Sequence, residues 1–278
     1  IDWFDGVAVI QFHSVGMFYL KNMIVSILQY LLKDNIKAVY NKSAATLPDA
    51  KGVHVEDELL FGNFEEVVAK ENENSFYIDI LKGQKTGFFI DQRDNRQLVG
   101  EYAKGKKVLN LFCYTGGFSV YALANGAEEV HSVDISKKAI DYTVMNLDLV
   151  PNSKGKHQVF TENVFDFLDN MPSDYYDLVV LDPPAFAKHH KVKDQGIKGY
   201  RNINRQAMEK IRKGGLLFTF SCSQAISKDD FLTLLFSAAA MEGKEMKVIK
   251  QLQQSVDHPI NIFHPEGSYL KGFMLHIS

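Results

Sequence analysis

Five apolar runs in this chain each end on residues that could do chemistry. The run at 108–112 leads into Cys113-Tyr114-Thr115-Gly116-Gly117, and the run at 129–133 ends on Asp134. Residues 157–161 lead to Glu162-Asn163-Val164, 176–181 to Asp182-Pro183-Pro184, and 215–220 to Ser221-Cys222-Ser223. A carboxylate at a strand end, as at Asp134, can accept both hydroxyls of a ribose. A carboxylate followed by two prolines, as at Asp182, sits on a stiffened exit and can bond the planar amide or amidine edge of a base. A thiol such as Cys222 is a nucleophile once ionised. The set therefore suggests a nucleoside ligand beside a site able to form a covalent bond.

The turn at 112–117 narrows the ligand. A dinucleotide fingerprint needs three spaced glycines so that a pyrophosphate can approach the backbone and a helix N-terminus. Here only Gly116 and Gly117 are present, and Phe112 and Tyr114 occupy the earlier turn. S-adenosylmethionine (SAM) has an adenine, a ribose, a sulfonium and an amino acid end but no phosphate, and it is the expected cofactor. Asn110, Phe112, Tyr114, Thr115, Gly116, Gly117, Asp134 and Ile135 are the residues expected around it. Asn163 either bonds the adenine amine, with Val164 alongside, or caps the helix that follows. Asp182 and Pro183 complete the cofactor side. Neither a metal site nor a disulfide framework is expected from two cysteines, Cys113 and Cys222.

Cys222 sets the reaction type. Carbon 5 of a pyrimidine is too poor a nucleophile to attack SAM directly, but a thiolate added at carbon 6 makes carbon 5 an enamine carbon that can. Asp182 would stabilise the accompanying change at N3. Pro184, Phe186 and Tyr200 are candidates to contact an extruded base, with core packing the other reading of the two aromatic rings. Cys113 lies inside the cofactor turn and is expected to pack there. Two other readings compete. One is methylation of an exocyclic or ring nitrogen, which needs no cysteine but calls for an aromatic directly after the prolines, where Ala185 stands. The other is a SAM- or RNA-binding module without turnover.

The elements that would position these residues read as two parts. Residues 1–75 suggest a small α+β domain, with strands at 7–12 and 36–40, a helix at 21–32, a loop at 46–52, and a strand pair at 64–69 and 76–81. From about 82 onward strand and helix alternate, which argues for a parallel sheet spanning 76–278. Strands are expected at 107–112, 129–134, 157–161, 176–181 and 215–221, with helices at 118–125, 136–149, 163–169, 201–213 and 228–241, and two late strands at 246–252 and 269–276. The predicted class is α/β, a Rossmann-like methyltransferase sheet with a smaller N-terminal α+β domain. In such sheets ligands bind beyond the carboxyl ends of the strands, where all five chemistry-bearing tracts fall.

With 46% hydrophobic and 23% charged residues, the 278-residue chain is that of an ordinary globular protein with an ample core. No apolar run reaches membrane-spanning length, no signal peptide is evident, and a reducing cytoplasm is expected. Net charge is −3, but it is unevenly spread. Residues 49–79 carry nine acids and two lysines, whereas 186–213 carry nine Lys and Arg against two acids. The basic stretch reads as a solvated face or as a phosphate-backbone track beside the site.

Several tracts, in order along the chain, resemble one family. They are Lys82–Arg96 (KGQKTGFFIDQRDNR), LNLFCYTGGF at 109–118, SVD at 132–134, DPPAF at 182–186, GY at 199–200, FSCS at 220–223, and DHP with PEGSYLKGF within 257–273. Together they resemble the bacterial large-subunit rRNA cytosine-5 methyltransferases, from about residue 5 to the end. The resemblance implies a class I sheet, SAM as methyl donor, Gln92 and Arg93 near the cofactor's amino acid end, Cys222 as nucleophile, large-subunit rRNA as partner, and room for a homodimer. Relatives carry a small RNA-binding domain ahead of the first residues seen here, and this sequence is expected to lack it. Two positions depart from the pattern: Ala185 replaces the usual Lys after the prolines, and Asn163 replaces the usual Asp.

Overall fold

A computed structural model describes residues 1–47, 54–151, 153–187 and 189–278. The expected loop at 46–52 falls mostly outside these residues, as does Lys188 of the basic stretch. The chain divides into two units, Ile1–Ile90 and Asp91–Ser278. The boundary is later than the expected 75/76 because the strand pair and the segment after it belong to the first unit. There Phe76 and Phe88 are in ring contact at 4.9 Å. Lys42 Nζ also donates to the carbonyls of Ile80 and Gly83, both at 2.6 Å.

The first unit begins with β1 (Asp2–Phe4), β2 (Val7–Ile10), α1 (Val15–Tyr19), α2 (Lys21–Leu32), β3 (Ala38–Asn41) and β4 (Glu58–Gly62). These strands form a sheet in the order β1-β2-β3-β4, in which β2 and β3 are parallel and joined by the helices. β5 (Val67–Glu71) and β6 (Asn74–Ile78) form a separate antiparallel pair. The helix at 21–32 lies where its apolar spacing puts it. β4 is hidden in the sequence by the acids around it, and the hairpin is shorter than expected because Asn72, at φ 52, turns the chain.

The second unit opens with α3 (Arg93–Ala103), followed by β7 (Lys107–Leu111), α4 (Gly117–Ala124), β8 (Glu129–Asp134), α5 (Lys137–Asp148), β9 (Lys156–Thr161) and α6 (Val164–Asn170). It continues with β10 (Tyr176–Leu181), α7 (Lys193–Lys210), β11 (Ile211–Ser221), α8 (Lys228–Glu242), β12 (Met246–Leu252) and β13 (Lys271–Ile277). Its sheet has the order β12-β13-β11-β10-β7-β8-β9. β7 to β11 run parallel, and β13 runs antiparallel to both β11 and β12. This is the doubly wound α/β sheet that the alternation of elements predicts. The central strand β10 is buried along its whole length, as befits a strand covered by helices on both faces. Among the described residues, no helix is long and apolar enough to cross a membrane.

α3 escapes a periodicity reading because its inward face is partly polar: Asn95 and Arg96 are buried along with Val99, Gly100 and Ala103. α7 starts and ends earlier than the expected 201–213. Its N-terminal half is charged on the outside, while Gly196 and Tyr200 face inward, and the chain is already extended at Ile211. Four of the nine cations in the basic stretch are engaged with acids. Lys193 pairs with Asp230 at 2.7 Å, Arg205 with Glu242 at 2.6 Å and Lys210 with Glu209 at 3.0 Å, while Arg212 pairs with Asp177. These four cations serve a charged structural face.

Candidate active site

Parallel register brings the chemistry-bearing residues to one end of the sheet. Leu111 lies opposite Val133 on one side and Leu181 on the other, so Phe112, Asp134 and Asp182 leave their strands at the same level. Leu181 in turn pairs with Thr219, and Ser221 pairs with Lys271 across the antiparallel edge. Adjacent strands are about 4.8 Å apart, so these exits form a continuous row.

The turn after β7 is held in a conformation few sequences tolerate. Phe112 and Tyr114 both have positive φ, 56° and 48°, and Gly116 is left-handed at φ 78° just before α4. A Cβ at Gly116 would come within 2.7 Å of Thr143 on α5, so glycine is required there twice over. Side chains of α5 clamp the turn from behind. Thr143 Oγ1 donates to the Tyr114 carbonyl at 2.8 Å, and Asn146 Nδ2 donates to the Thr115 carbonyl at 2.8 Å. Asp134 braces it from the side, accepting from the Tyr114 N–H at 3.0 Å and the Ser136 N–H at 2.9 Å through different oxygens. Each carboxylate oxygen keeps a lone pair for a ribose hydroxyl.

Two buried oxygens here, Asn110 Oδ1 near the end of β7 and Thr115 Oγ1 in the turn, have no hydrogen-bond partner among the described residues. Buried polar atoms are rarely left so, and each costs about 1–3 kcal/mol unless a ligand or water satisfies it. The donor set, the left-handed turn and the braced carboxylate fit an adenosyl amino acid cofactor. Asn110 itself is fixed by its amide, which donates to Ser119 Oγ at 2.9 Å. Ile135 is 70% exposed at the end of β8, where an apolar ring could cover it.

Other expected cofactor residues have structural roles. Asn163 caps α6, its Oδ1 accepting from the Phe165 N–H at 2.9 Å, the second of the two readings its sequence position allowed. The Val164 side chain is buried in the core with Phe167 and Leu168, leaving only its backbone for a ligand. Cys113 is buried against Thr143, and burial followed by the Asp134 carboxylate pushes its thiol far above the ordinary range. It packs, as expected. Arg93 reaches Asp257 at 2.6 Å.

The second half of the site surrounds Cys222. The segment before α3 delivers Gln92, whose amide donates to Asp182 Oδ2 at 2.9 Å and accepts from Asn95 Nδ2 at 2.6 Å. Asp91, which the sequence reading passed over, is held by Tyr269, whose hydroxyl donates to Oδ2 at 2.5 Å, and by Ser255, whose N–H donates to the Asp91 carbonyl at 2.9 Å. Burial and then the Asp91 carboxylate raise the pKa of Asp182 to about 7, against the lowering effect of Gln92 and Arg96. Burial and then Asp182 raise the half-buried Cys222 thiol to about 11, with Lys271 opposing. Lys271 is itself buried. Its Nζ donates to the Ser223 carbonyl at 2.7 Å, and desolvation lowers its pKa. Nothing in the spacing of the sequence singles out Lys271; only the β11–β13 pairing places it beside the thiol.

Tyr200 does not face an open pocket. It is fully buried, its hydroxyl lying 3.0 Å from Ser223 Oγ, and its ring packs on Phe186 at 4.7 Å and Phe231 at 5.8 Å. It cannot receive a stacked base, because α7 carries its ring into the core; it holds the exit after β11. Phe186 is half-buried on that core, and Pro184 is exposed beside it.

The profile of the S-adenosylmethionine-dependent methyltransferase family matches residues 47–266. The chain is 36% identical over 280 residues to the ribosomal RNA large subunit methyltransferase I of Aeromonas hydrophila, covering 99% of this chain and 70% of that protein. The fold is similar to that of a structure described as a SAM-dependent methyltransferase from Streptococcus mutans, with TM-score 0.82 and 23% identity over 98% of this chain and 69% of the other. A further methyltransferase structure, complexed with S-adenosylhomocysteine, gives the same TM-score of 0.82 at 23% identity, over 98% of this chain and 70% of that one. The fold, the braced turn with its unsatisfied oxygens and these likenesses agree: the chain belongs to the S-adenosylmethionine-dependent methyltransferase family.

Proposed function

We propose that the protein methylates carbon 5 of a cytosine in large-subunit rRNA, through a transient bond between Cys222 and carbon 6 of the base. The observation that carries this reading is Cys222 itself, half-exposed at the end of β11 and within electrostatic reach of Asp182 and Lys271. The RNA substrate rests on the name of the Aeromonas relative. Ribosomal RNA as substrate places the reaction in the cytoplasm.

Bound in the turn between β7 and α4, SAM supplies an electrophilic methyl group. The protein's own groups prepare the base. Between about pH 7 and pH 11 the Cys222–Asp182 pair holds one proton. In the reactive arrangement that proton sits on Asp182 and the thiolate attacks carbon 6. The displaced π electrons are drawn toward N3, which takes the proton from Asp182. Lys271 opposes the negative charge on sulfur, and Gln92 fixes the carboxyl. Once carbon 5 carries the methyl group, water or another base takes the carbon 5 proton, the double bond re-forms as the thiolate leaves, and N3 returns its proton to Asp182. Burial and the Asp182 carboxylate keep the Cys222 thiol protonated at rest, so the nucleophile is unmasked only as its proton passes to Asp182, which protects it from other electrophiles.

The test is to methylate large-subunit rRNA with the purified protein and SAM, digest it to nucleosides and identify the product by mass spectrometry. 5-Methylcytidine is expected. A nucleoside methylated on an exocyclic or ring nitrogen would favour the cysteine-independent reading.

A further inference from the structure

Beyond the thiol, on the β12–β13 side, lies a cavity of about 510 Å³ that the mechanism above does not use. Its polar lining includes Gln224, Gln251, Gln253, Ser268, Lys228 and Lys271, with Glu266 as the acid among its lining residues. Leu252 and Leu270, both buried, and Pro265 supply an apolar part. Gln224 and Gln253 are exposed. Lys228 Nζ bonds the Gln251 amide oxygen and so fixes that side chain. Lys271 belongs to both places: it lines the cavity, and its charge acts on the Cys222 thiol.

We infer that this cavity is a subsite for one nucleotide adjoining the methylated base in the RNA, a proposal that rests on the RNA reading above. The volume falls in the range of small-ligand pockets, roughly 300–1,000 Å³. Carboxamides offer both a donor and an acceptor in one plane, the pattern that matches the edge of an unpaired base. Two lysines against one glutamate suit the phosphate that joins neighbouring nucleotides. The leucines and the proline give the face of the base an apolar surface. The target base must leave its helix to reach Cys222, so its neighbour loses a stacking partner, and a pocket one side chain away from the thiol supplies a replacement. Recognition of the neighbour would also align the target, because Lys271 opens β13 opposite Ser221 and Gln224 lies in the turn two residues after Cys222.

The experiment uses fluorescently labelled fragments of large-subunit rRNA and the full chain. Mass spectrometry first maps the methylated cytidine. Affinity is then measured by anisotropy for fragments in which each flanking nucleotide in turn is made abasic, with the native protein and with Gln224→Ala/Gln253→Ala. Both substituted residues are exposed, and an unchanged melting temperature verifies the fold. The native protein is expected to lose about tenfold in affinity at one adjoining position, the worth of a single well-held base. The double variant is expected to bind intact RNA about tenfold more weakly and to be indifferent to that same abasic change. Undiminished binding by the variant, or an undiminished response to every abasic position, would overturn the subsite. If the native protein transfers no methyl group to RNA, the functional reading fails, and the abasic scan is then run at every nucleotide of the tightest-binding fragment, where it needs no turnover to decide the subsite.

Discussion

The Gln92 amide donates a 2.9 Å hydrogen bond to Asp182 Oδ2, tying the segment that enters α3 to the end of β10. This bond favours the carboxylate against burial and Asp91, and the balance leaves the pKa raised to about 7. Its proton affinity is therefore a balance between groups that can be changed one at a time.

Replacing Gln92 by Leu tips that balance. Below its pKa Asp182 is protonated while Cys222 still holds its own proton, so the pair has one proton too many and the rate falls. The acid limb of the kcat/KM profile is expected near pH 7. Gln92→Leu removes a group that favours the carboxylate, so the limb should move to higher pH, with SAM affinity little changed. A limb that stays in place would separate Asp182 from the rate.

Lys271→Met removes the cation that favours the Cys222 thiolate. The pH dependence of Cys222 alkylation, followed by peptide mass spectrometry, should shift to higher pH, and Lys271→Arg should restore part of it. A lysine with a purely structural role would alter stability and leave the alkylation profile where it was.

Asp134→Ala should weaken SAM binding strongly in a calorimetric titration. It removes the partner of the ribose hydroxyls and also frees the Tyr114 and Ser136 N–H groups it braces. A loss of about 1–3 kcal/mol is expected, roughly 5- to 160-fold in affinity. Unchanged affinity would mean that the ribose is held elsewhere.

Gly116→Ala tests the turn. The residue must keep φ 78° and its new methyl would meet Thr143 at 2.7 Å. The left-handed conformation alone costs about 1–2 kcal/mol, so the melting temperature should fall by several degrees. Thr143→Ser removes the nearest carbon, and in the double variant it should recover part of the loss but not all of it.

How much of this could be read in the sequence depended on where the information lay. The five strand exits were legible because each is a local event: an apolar run followed by a polar residue. Asp134, Asp182 and Cys222 fall where those runs end. α3 and β4 were hidden because a buried polar face and an acidic surround disguise their periodicity. Tyr200 stood between two readings because an aromatic near an active site looks the same in sequence whether it faces the ligand or the core, and its burial selects the core. Asp91 and Lys271 were missed as parts of the site for a different reason. Each is brought to the thiol by long-range pairing, Asp91 through Tyr269 and Ser255, Lys271 through the β11–β13 register.

The central claim is that Cys222 bonds to the base, and RNA carrying 5-fluorocytosine tests it most directly. Fluorine at carbon 5 cannot leave as a proton does, so the thioether formed with carbon 6 is trapped after methyl transfer. Incubated with SAM and this RNA, the protein is expected to form an adduct stable to denaturing electrophoresis, whose mass maps to the peptide containing Cys222, and Cys222→Ala should form none. Methyl transfer to unmodified RNA that survives Cys222→Ala at the native rate would contradict the account.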